Sequence, residues 1–555
     1  MSSYAAQDIA EIIDAIDRRL RDHDTEVSAV LRRIATDDWQ IRETISPKEA
    51  EQARAIFGWI AQKGPAQVWA MAKPILRDPA LLQSGIRSFS TNAALSGDET
   101  GFAAILAGVL SVDKRTQARL AVLLLSYLFH DAFRTPQPER GVYDIAANPF
   151  QKLKWLYRYW FNQLETAEEG AGLESYFATR RIELQAPRLD APAAEPRTMT
   201  VSCAGDLLAV DVLTPKNTPH LFDDITDFYS SADIVSANLE STIDKSRPLG
   251  RSQSPGQPAR MNTSEAMFQK FRDEAKITYF STATNHAMDW GPKGVRATLD
   301  VLDASGAYHS GTASSQAEQD DVLVVDKHGI KVALLAYTFD LNGYKLPADK
   351  PYLVNEVRFN DANPLPDYAL IKKQVAAAKA KGAEHIIAYC HWGWEFEMYP
   401  HTAIMKVARE VIACGVDTIL GNHPHVSQPA EFIERPDAPP ALVIYALGDF
   451  VSYHPESRNS KLAYIVKFEI VKHGQEKAYV SNLQALPIYI LNAKRADGTF
   501  DCRILKFENV LREPERYSLS ALEKSQLPHL RDKVWNDILA PLSNLGVYEW
   551  LLSSG

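Results

Sequence analysis

The chain has 555 residues, 46% of them hydrophobic and 23% charged, with a formal net charge of −10 at pH 7. This length predicts two to four domains with at least one large core, and the acidic balance argues against a nucleic-acid or anionic-membrane partner. The four cysteines are far apart and form no CxxC pair, so neither a disulfide scaffold nor a thiolate zinc site is indicated. We recognise no signal peptide and no transmembrane segment, and therefore expect a cytoplasmic protein.

The first part of the chain has the pattern of helices. Apolar residues near the N-terminus recur on one helix face, at Ile9, Ile12, Ile13, Ile16 and Leu20. The same periodicity returns around residues 50–75, 101–133 and 150–180. We predict an all-helical domain over residues 1–185. Its role is not indicated by the sequence, and docking a protein partner is one use for it.

A change of pattern near residue 190 predicts a second domain. The segment APRLDAPAAEPRT, residues 186–198, has three prolines and no period, which is typical of a linker. Short β-branched runs then alternate with helical stretches, and we predict a mixed α/β domain over residues 199–510. In it, the KHG turn between two apolar runs predicts an antiparallel hairpin. Residues 511–555 are predicted to form a helical tail that packs back on one of the domains.

Polar residues follow the predicted strands of the α/β domain. Six strands end in an acid, an amide or an imidazole, namely Asp206, Asn238 with Glu240, Asn285 with His286, His391, His423 with His425, and Asp449. One such residue would be explained as a turn former or a helix cap. In open α/β sheets, however, ligands bind at the carboxyl ends of the strands. We therefore predict that these side chains form one shared site.

The residue types restrict the ligand of that site to a class of metal ion. Carboxylates, an amide oxygen and imidazoles without thiolates suit divalent ions such as Mn, Fe or Zn, and Mg is also compatible. A closed structural zinc site would favour four cysteine or histidine ligands. A carboxylate that bridges would allow two ions, the arrangement that activates water for attack at phosphorus or at a carbonyl.

Seven motifs carry a family resemblance. They occur in the order CAGDLL, IVSANLEST, ATNHAMDWGPKGVRATLDVLDASGAYHSGT, AYTFDLNGYKLP, CHWGWEFEMYP, GNHPHVSQPAEF and IYALGDFV. Over roughly residues 198–455 the chain resembles the CapA/PgsA family of bacterial capsule and poly-γ-glutamate synthesis proteins. The resemblance implies an α/β fold, a four-layer α/β/β/α sandwich of the calcineurin-like metallophosphoesterase type, preceded here by the all-helical domain.

The resemblance also implies roles for individual residues. One or two divalent ions would be held by Asp206, Glu240, Asn285, His391, His423 and His425. In this arrangement Asp206 and His425 bind the first ion, Glu240 lies between the two, and the others hold the second ion. His286 would contact substrate and protonate the leaving group, a task suited to histidine near neutral pH. Substrate contacts are expected from Asn238, Trp392, Glu395 and Asn342.

Two positions depart from the family pattern. General metallophosphoesterases place a histidine ligand two residues after the first aspartate, where this chain has Leu208, so the first ion would have one protein ligand fewer. Family members commonly read GNF where this chain has Gly448, Asp449 and Phe450, which adds a negative charge near the site.

Two classes of function follow from these observations. The first is a CapA-like hydrolase that uses metal-activated water on a phosphoester or on a γ-glutamyl or other amide bond, with a small-molecule or polymer substrate, in capsule or poly-γ-glutamate biosynthesis. The alternative is a non-catalytic, metal-stabilised scaffold component of capsule polymer assembly. A nuclease is disfavoured, because the sequence lacks the cations that a phosphate backbone requires.

Overall fold

The computed structural model describes residues 3–36, 47–77, 114–136, 149–161, 164–180, 182, 195–253, 258–361, 365–543 and 545. These residues form two compact units, one built from the helices before residue 162 and the other from residue 164 onward. Most of the predicted linker 186–198 lies outside the described residues, as do much of the predicted helical segment 101–133 and the end of the predicted tail.

The described part of the first unit is helical, as the sequence predicts. Its helices are α1 Ser3–Thr36, α2 Pro47–Lys63, α3 Pro65–Arg77, α4 Lys114–Leu128, α5 His130–Arg134 and α6 Pro149–Trp160. On α1 the buried residues Ile13, Ile16, Leu20, Val27 and Leu31 follow the spacing of one helix face. Of these, Ile16, Leu20, Val27 and Leu31 join one core with residues of α2, α4 and α6. Tertiary packing of this amphipathic face stabilises the helices of this unit.

The second unit is mixed α/β and contains two mixed sheets, which confirms the predicted class. The larger sheet has the order β16-β15-β14-β1-β2-β5-β6, with β13 paired to β1. Its strands are β1 Arg197–Leu207, β2 Ile234–Leu239, β5 Tyr279–Ser281, β6 Tyr308–Ser310, β13 Asp449–Val451, β14 Leu462–Lys472, β15 Tyr479–Lys494 and β16 Phe500–Lys506. Strands β1, β2, β5 and β6 run parallel, whereas β14, β15 and β16 are antiparallel additions to the β1 edge.

The second sheet has six strands in the order β11-β12-β10-β9-β8-β7. Its strands are β7 Val324–Lys327, β8 Ile330–Thr338, β9 His385–His391, β10 Thr418–Asn422, β11 Ala430–Arg435 and β12 Ala438–Ile444. Strands β7 and β8 form the predicted hairpin, and its turn residues His328 and Gly329 have φ of 53° and 73°. Those left-handed values are the ones that a tight hairpin turn requires. A separate two-stranded hairpin joins β3 Gly250–Ser252 to β4 Arg260–Asn262.

Helices connect the strands of the second unit. They are α7 Leu173–Thr179, α8 Thr226–Tyr229, α9 Glu265–Asp273, α10 Gly291–Ser305, α11 Gln316–Asp320, α12 Ala369–Ala380, α13 Thr402–Ala413, α14 Phe507–Arg512, α15 Ala521–His529, a π-helical segment Leu530–Ile538 and α16 Ala540–Ser543, with 3-10 turns at Pro351–Leu353, Asn459–Lys461 and Pro514–Tyr517. Local sequence sets their ends: the Ser264 hydroxyl caps α9 by accepting from Met267 N, and Gly306 ends α10 at a φ of 70°.

The two sheets pack face to face and bury their contact. The rings of Tyr279 on β5 and Tyr389 on β9 lie 4.7 Å apart between the sheets. The outer face of the larger sheet forms a core with α9 and α10 through Phe268, Phe271 and Leu302. The site-bearing strands are therefore held between two apolar layers, which restricts their movement.

Three long strands near the end of this unit are absent from the elements read from the sequence. Strand β14 pairs with β1 over seven residues, from Arg197 with Lys472 to Cys203 with Val466. Strands β15 and β16 then extend the sheet beyond it. The tail follows as short helices, and Trp535 in it packs against Tyr464 on β14, with ring centroids 6.4 Å apart. No helix among the described residues meets the length and apolarity that crossing a membrane would take.

Candidate metal centre

Strand register brings the predicted polar residues to one edge of the sheets. In the larger sheet, Asp206 on β1 lies opposite Asn238 on β2 and opposite Asp449 on β13. In the smaller sheet, His391 on β9 lies opposite Asn422 on β10. Because the sheets face each other, the two edges meet, and Asn238 Nδ2 lies 3.2 Å from His391 Nδ1.

Two glycines allow the strands to approach closely at this edge. A Cβ on Gly205 would lie 1.8 Å from Gly448 O, and one on Gly421 would lie 1.9 Å from Tyr445 O. No side chain fits at such distances, so glycine is required at both positions. Gly205 directly precedes Asp206, and Gly421 lies two residues before His423. The close approach of Gly205 to Gly448 sets the separation of Asp206 from Asp449.

Glu240 is the centre of the cluster. Its Oε1 lies 3.4 Å from His391 Nε2 and 3.6 Å from His425 Nε2. The carboxylate is fully buried, yet neither of its oxygens has a hydrogen-bond partner among the described residues. His423 is in the same situation, because both of its ring nitrogens are buried and neither finds a partner within the described parts of the chain. Its ring lies 4.8 Å from that of His391.

Asp206 and His425 form the neighbouring part of the cluster. Asp206 Oδ1 accepts a hydrogen bond from Asn238 Nδ2 at 2.7 Å, and its Oδ2 accepts one from the His423 backbone N at 3.3 Å. His425 Nδ1 lies 3.7 Å from Asp206 Oδ2. Glu240 therefore lies between two groups of side chains, one formed by Asp206 and His425 and the other by His391 and His423.

A chain of amides connects His391 to His286. His391 Nε2 lies 2.9 Å from Asn285 Oδ1, and Asn285 Nδ2 donates to Asn342 Oδ1 at 3.2 Å. Asn342 Nδ2 in turn lies 3.4 Å from His286 Nδ1, which is also 2.8 Å from Asp289 Oδ2. His286 thus stands at the rim of the cluster, with its Nδ1 engaged and its Nε2 left for other contacts.

The backbone is strained at both histidines of the GNHPHV turn. His423 and His425 have φ of 101° and 54°, a region that L residues rarely adopt. Pro424 lies between them, and its carbonyl accepts from Phe396 N at 2.8 Å. Outliers of this kind cost about 1–3 kcal/mol each and cluster at functional sites. The turn presents both imidazoles to Glu240 and Asp206 at this cost.

Burial shifts the pKa of the acidic residues upward. Burial raises the pKa of Asp206 to about 7, although the His425 imidazole opposes the shift. Burial also raises the pKa of Glu240 well above its ordinary range, and the Asp206 and Asp449 carboxylates reinforce that shift. A nearby cation would favour the charged form of both acids.

The histidines divide into two kinds. Burial lowers the pKa of His391 and of His423 well below the ordinary range, and neighbouring imidazoles add to the effect. Both rings are therefore neutral at pH 7, the form that binds metal. Burial also lowers the pKa of His425, but the Glu240 and Asp449 carboxylates outweigh it and raise that pKa well above its ordinary value.

These residues fit a divalent metal ion. Three groups have ligand atoms within 4.8 Å of one another: Glu240 with His391 and His423, Asp206 with Glu240 and His425, and His425 with Asp449 and His454. Ligands about 2.1 Å from one ion are separated by roughly 3.0–3.4 Å, close to the spacing seen around His391 Nε2. The partnerless atoms of Glu240 and His423 would gain a partner in such an ion.

The four predicted substrate residues occupy different environments. Asn238 is buried between Asp206 and His391, and Asn342 bridges Asn285 to His286. Glu395 is half-buried, and its charge raises the pKa of Glu240 and His425. Trp392 differs from this expectation: it is fully buried, and its Nε1 donates to Tyr445 O at 2.9 Å. Its position is that of a core residue, because its ring packs against those of Phe359 and Tyr445, with centroids 5.5 and 6.3 Å away.

Several neighbours of the cluster were not among the predicted ligands. Asp449 was noted as a strand-end acid, and it contacts His425 Nδ1 at 2.9 Å. Asn422 is buried, and its amide atoms have no hydrogen-bond partner in the described segments. His454 lies in a loop after β13, with its ring 5.0 Å from that of His425. Only its closeness to the GDF motif in the sequence could have pointed to His454.

The fold and the cluster define a mixed α/β protein with a buried candidate metal centre where two sheets meet. Residues 200–454 match the family model described as bacterial capsule synthesis protein PGA_cap. This part of the chain is similar to that family, which confirms the resemblance read from its motifs.

Curated relatives agree with the family match. The PGA biosynthesis protein CapA of Bacillus subtilis (strain 168) is 25% identical over 321 residues, which cover 57% of this chain and 77% of the relative. The capsule biosynthesis protein CapA of Bacillus anthracis is 23% identical over 320 residues, 53% of this chain and 73% of the relative. The structure of Haemophilus influenzae NAD nucleotidase aligns with a TM-score of 0.32 at 10% identity, over 63% of this chain and 59% of that one.

Proposed function

We propose that this protein is a metal-dependent hydrolase that acts on a phosphoester or on a γ-glutamyl or other amide bond. The names of its Bacillus relatives place those proteins in PGA or capsule biosynthesis, and we extend that setting to this chain. A four-layer sandwich of the metallophosphoesterase type is part of the proposal, supported by the face-to-face sheets and by the helices on the larger sheet.

One observation supports the proposal more than the others. Glu240 and His423 are fully buried, and their polar side-chain atoms have no hydrogen-bond partner among the described residues. Burying a carboxylate without compensation is costly, so such a pair persists where a cation supplies the missing interaction. Asp206, Asn285, His391 and His425 would complete the ligand set for one or two ions. When bound, such an ion supplies Lewis acidity and lowers the pKa of a coordinated water.

His286 is proposed to move the proton. Its Nδ1 is held 2.8 Å from Asp289 Oδ2, so Nε2 is the nitrogen that would donate to the leaving group. Asp289 is fixed in turn, because Met261 N donates to the same Oδ2 at 2.6 Å. Asn342 Nδ2 lies 3.4 Å from the same Nδ1, and Asn342 would help to hold substrate. General acid catalysis of this kind contributes about 10²–10⁴-fold in rate.

The test combines metal content with turnover. The purified full-length chain is stripped with a chelator, reloaded with Mn²⁺, Zn²⁺ or Fe²⁺, and assayed on phosphomonoesters, phosphodiesters and γ-glutamyl peptides. We expect His423→Ala to lose bound metal and activity together, and His286→Ala to keep the metal and lose turnover.

His385→Asn is the matched control. His385 is a buried histidine at the other end of β9 from His391, and its Nε2 contacts Thr418 Oγ1 at 2.9 Å. This variant should keep metal and turnover. Full metal content and full activity in His423→Ala would contradict the proposed site.

The alternative is a metal-stabilised scaffold without catalysis. Leu208, which stands where general metallophosphoesterases have a histidine ligand, is buried in an apolar cluster with Val210 and Met261. That position therefore supplies no donor to the first ion. A protein that binds metal tightly but hydrolyses no member of the substrate panel would favour the scaffold.

A further inference from the structure

The backbone fixes the position of Asp449 beside the candidate metal centre. It is the first residue of β13, and its Cα is in register with Asp206 on β1. Gly448 precedes it with a φ of 81°, and the Gly448 carbonyl accepts from Asp206 N at 3.1 Å. The two acids are thus fixed side by side through the backbone, and Asp449 is completely buried.

Both oxygens of Asp449 are engaged. Oδ1 lies 2.9 Å from His425 Nδ1. Oδ2 accepts from Ser452 Oγ at 2.6 Å and lies 3.5 Å from His454 Nε2. His425 is therefore held at Nδ1, while its Nε2 lies 3.6 Å from Glu240 Oε1.

This geometry selects one tautomer of His425. A carboxylate beside Nδ1 keeps a proton on that nitrogen, so Nε2, on the Glu240 side, is the nitrogen that would give up its proton to a metal ion. The ring also needs support, because the His425 backbone has a φ of 54° in a strained turn. His454 and Phe396 pack against the His425 ring, with centroids 5.0 and 6.1 Å away.

We propose that Asp449 is a positioning residue that orients His425 to bind metal through Nε2, with Ser452 holding the Asp449 carboxylate in place. This inference rests on the proposed function, because it concerns the same metal centre.

Titration of the metal-stripped full-length protein with Mn²⁺ and with Zn²⁺ by calorimetry tests the inference. Loss of such an orienting carboxylate typically costs 10–100-fold in metal affinity. We expect that loss in Asp449→Ala. Asp449→Asn keeps an acceptor oxygen for His425 Nδ1, so it should retain most of the affinity. Ser452→Ala should show a smaller loss than Asp449→Ala, and His385→Asn should match the wild type.

The measured affinities distinguish a positioning role for Asp449 from direct metal ligation and from the absence of a metal centre. Wild-type affinity in Asp449→Ala would overturn the inference while leaving the metal centre intact. An equal loss in Asp449→Asn and Asp449→Ala would also overturn it, because Asp449 would then be a direct ligand. A wild-type chain that binds none of these metals would contradict the proposed function itself. If Asp449→Ala fails to fold, as judged by circular dichroism, Ser452→Ala against wild type decides, and unchanged affinity there counts against the inference.

Discussion

Replacing Gly205 with alanine tests how the site is assembled. The added Cβ would lie 1.8 Å from Gly448 O and 2.7 Å from Gly448 C, whereas ordinary contact begins at 3.4 Å. Strands β1 and β13 must therefore separate by well over 1 Å. Overpacking of this kind costs about 1–3 kcal/mol. The hydrogen bonds from Asp206 N to Gly448 O and from Leu208 N to Val451 O are strained as well, at about 1 kcal/mol each.

We therefore expect Gly205→Ala to lower the free energy of unfolding by about 3–5 kcal/mol and to weaken metal binding, because Asp206 and Asp449 move apart. Urea unfolding followed by tryptophan fluorescence gives the first quantity, and Mn²⁺ calorimetry gives the second. Gly498→Ala is the control: its Cβ meets nothing within 4 Å, and its φ of 83° costs about 1 kcal/mol alone. A Gly205→Ala protein as stable as Gly498→Ala, with wild-type affinity for Mn²⁺, would show that the close approach of β1 and β13 does not hold the site together.

Three further predictions follow. Burial opposes the charged forms of Glu168 and His401. The His401 imidazole and the Thr402 backbone N–H nevertheless lower the pKa of Glu168 from 4.5 to about 2, and the Glu397 and Glu168 carboxylates raise that of His401 from 6.5 to about 9. The contribution of Glu168 to the free energy of unfolding should be lost as pH falls from 4.5 to 2, and that of His401 should be lost as pH rises from 6.5 to 9. Unfolding curves measured from pH 2 to 10 should show neither of these two pH dependences in His401→Gln. Glu240→Gln should stabilise the metal-free protein by about 1–2 kcal/mol, because it removes a buried charge, and should abolish the rise in melting temperature on adding Mn²⁺; a destabilised metal-free variant would contradict this. A fragment of residues 195–455, which lacks β14 beside β1, should show no cooperative melting by circular dichroism, whereas residues 164–555 should melt cooperatively.

The sequence predicts most of the site because strand ends are visible in it. Apolar runs such as IIAYC and TILG are short and end sharply, so that His391, His423 and Asp206 could be assigned to strand ends and hence to one edge of the sheets. The hairpin at KHG was equally accessible, since its turn residues accept left-handed backbone.

Other features depend on tertiary contacts that a linear pattern does not contain. His454 lies in a loop, and only the packing of β13 on β1 brings it to His425. Trp392 continues an apolar strand, and nothing in the sequence separates a core ring from a substrate-facing one. Strands β14 and β15 alternate weakly because many of their residues are buried on both faces, which removes the period-two signal of an exposed sheet.

Anomalous diffraction from crystals of the Mn²⁺- or Zn²⁺-loaded protein would locate the ion itself. We predict a peak at the metal edge within coordinating distance of Glu240, His391 and His423. Loaded crystals with no anomalous peak beside these three residues, or with the metal bound only elsewhere, would contradict it.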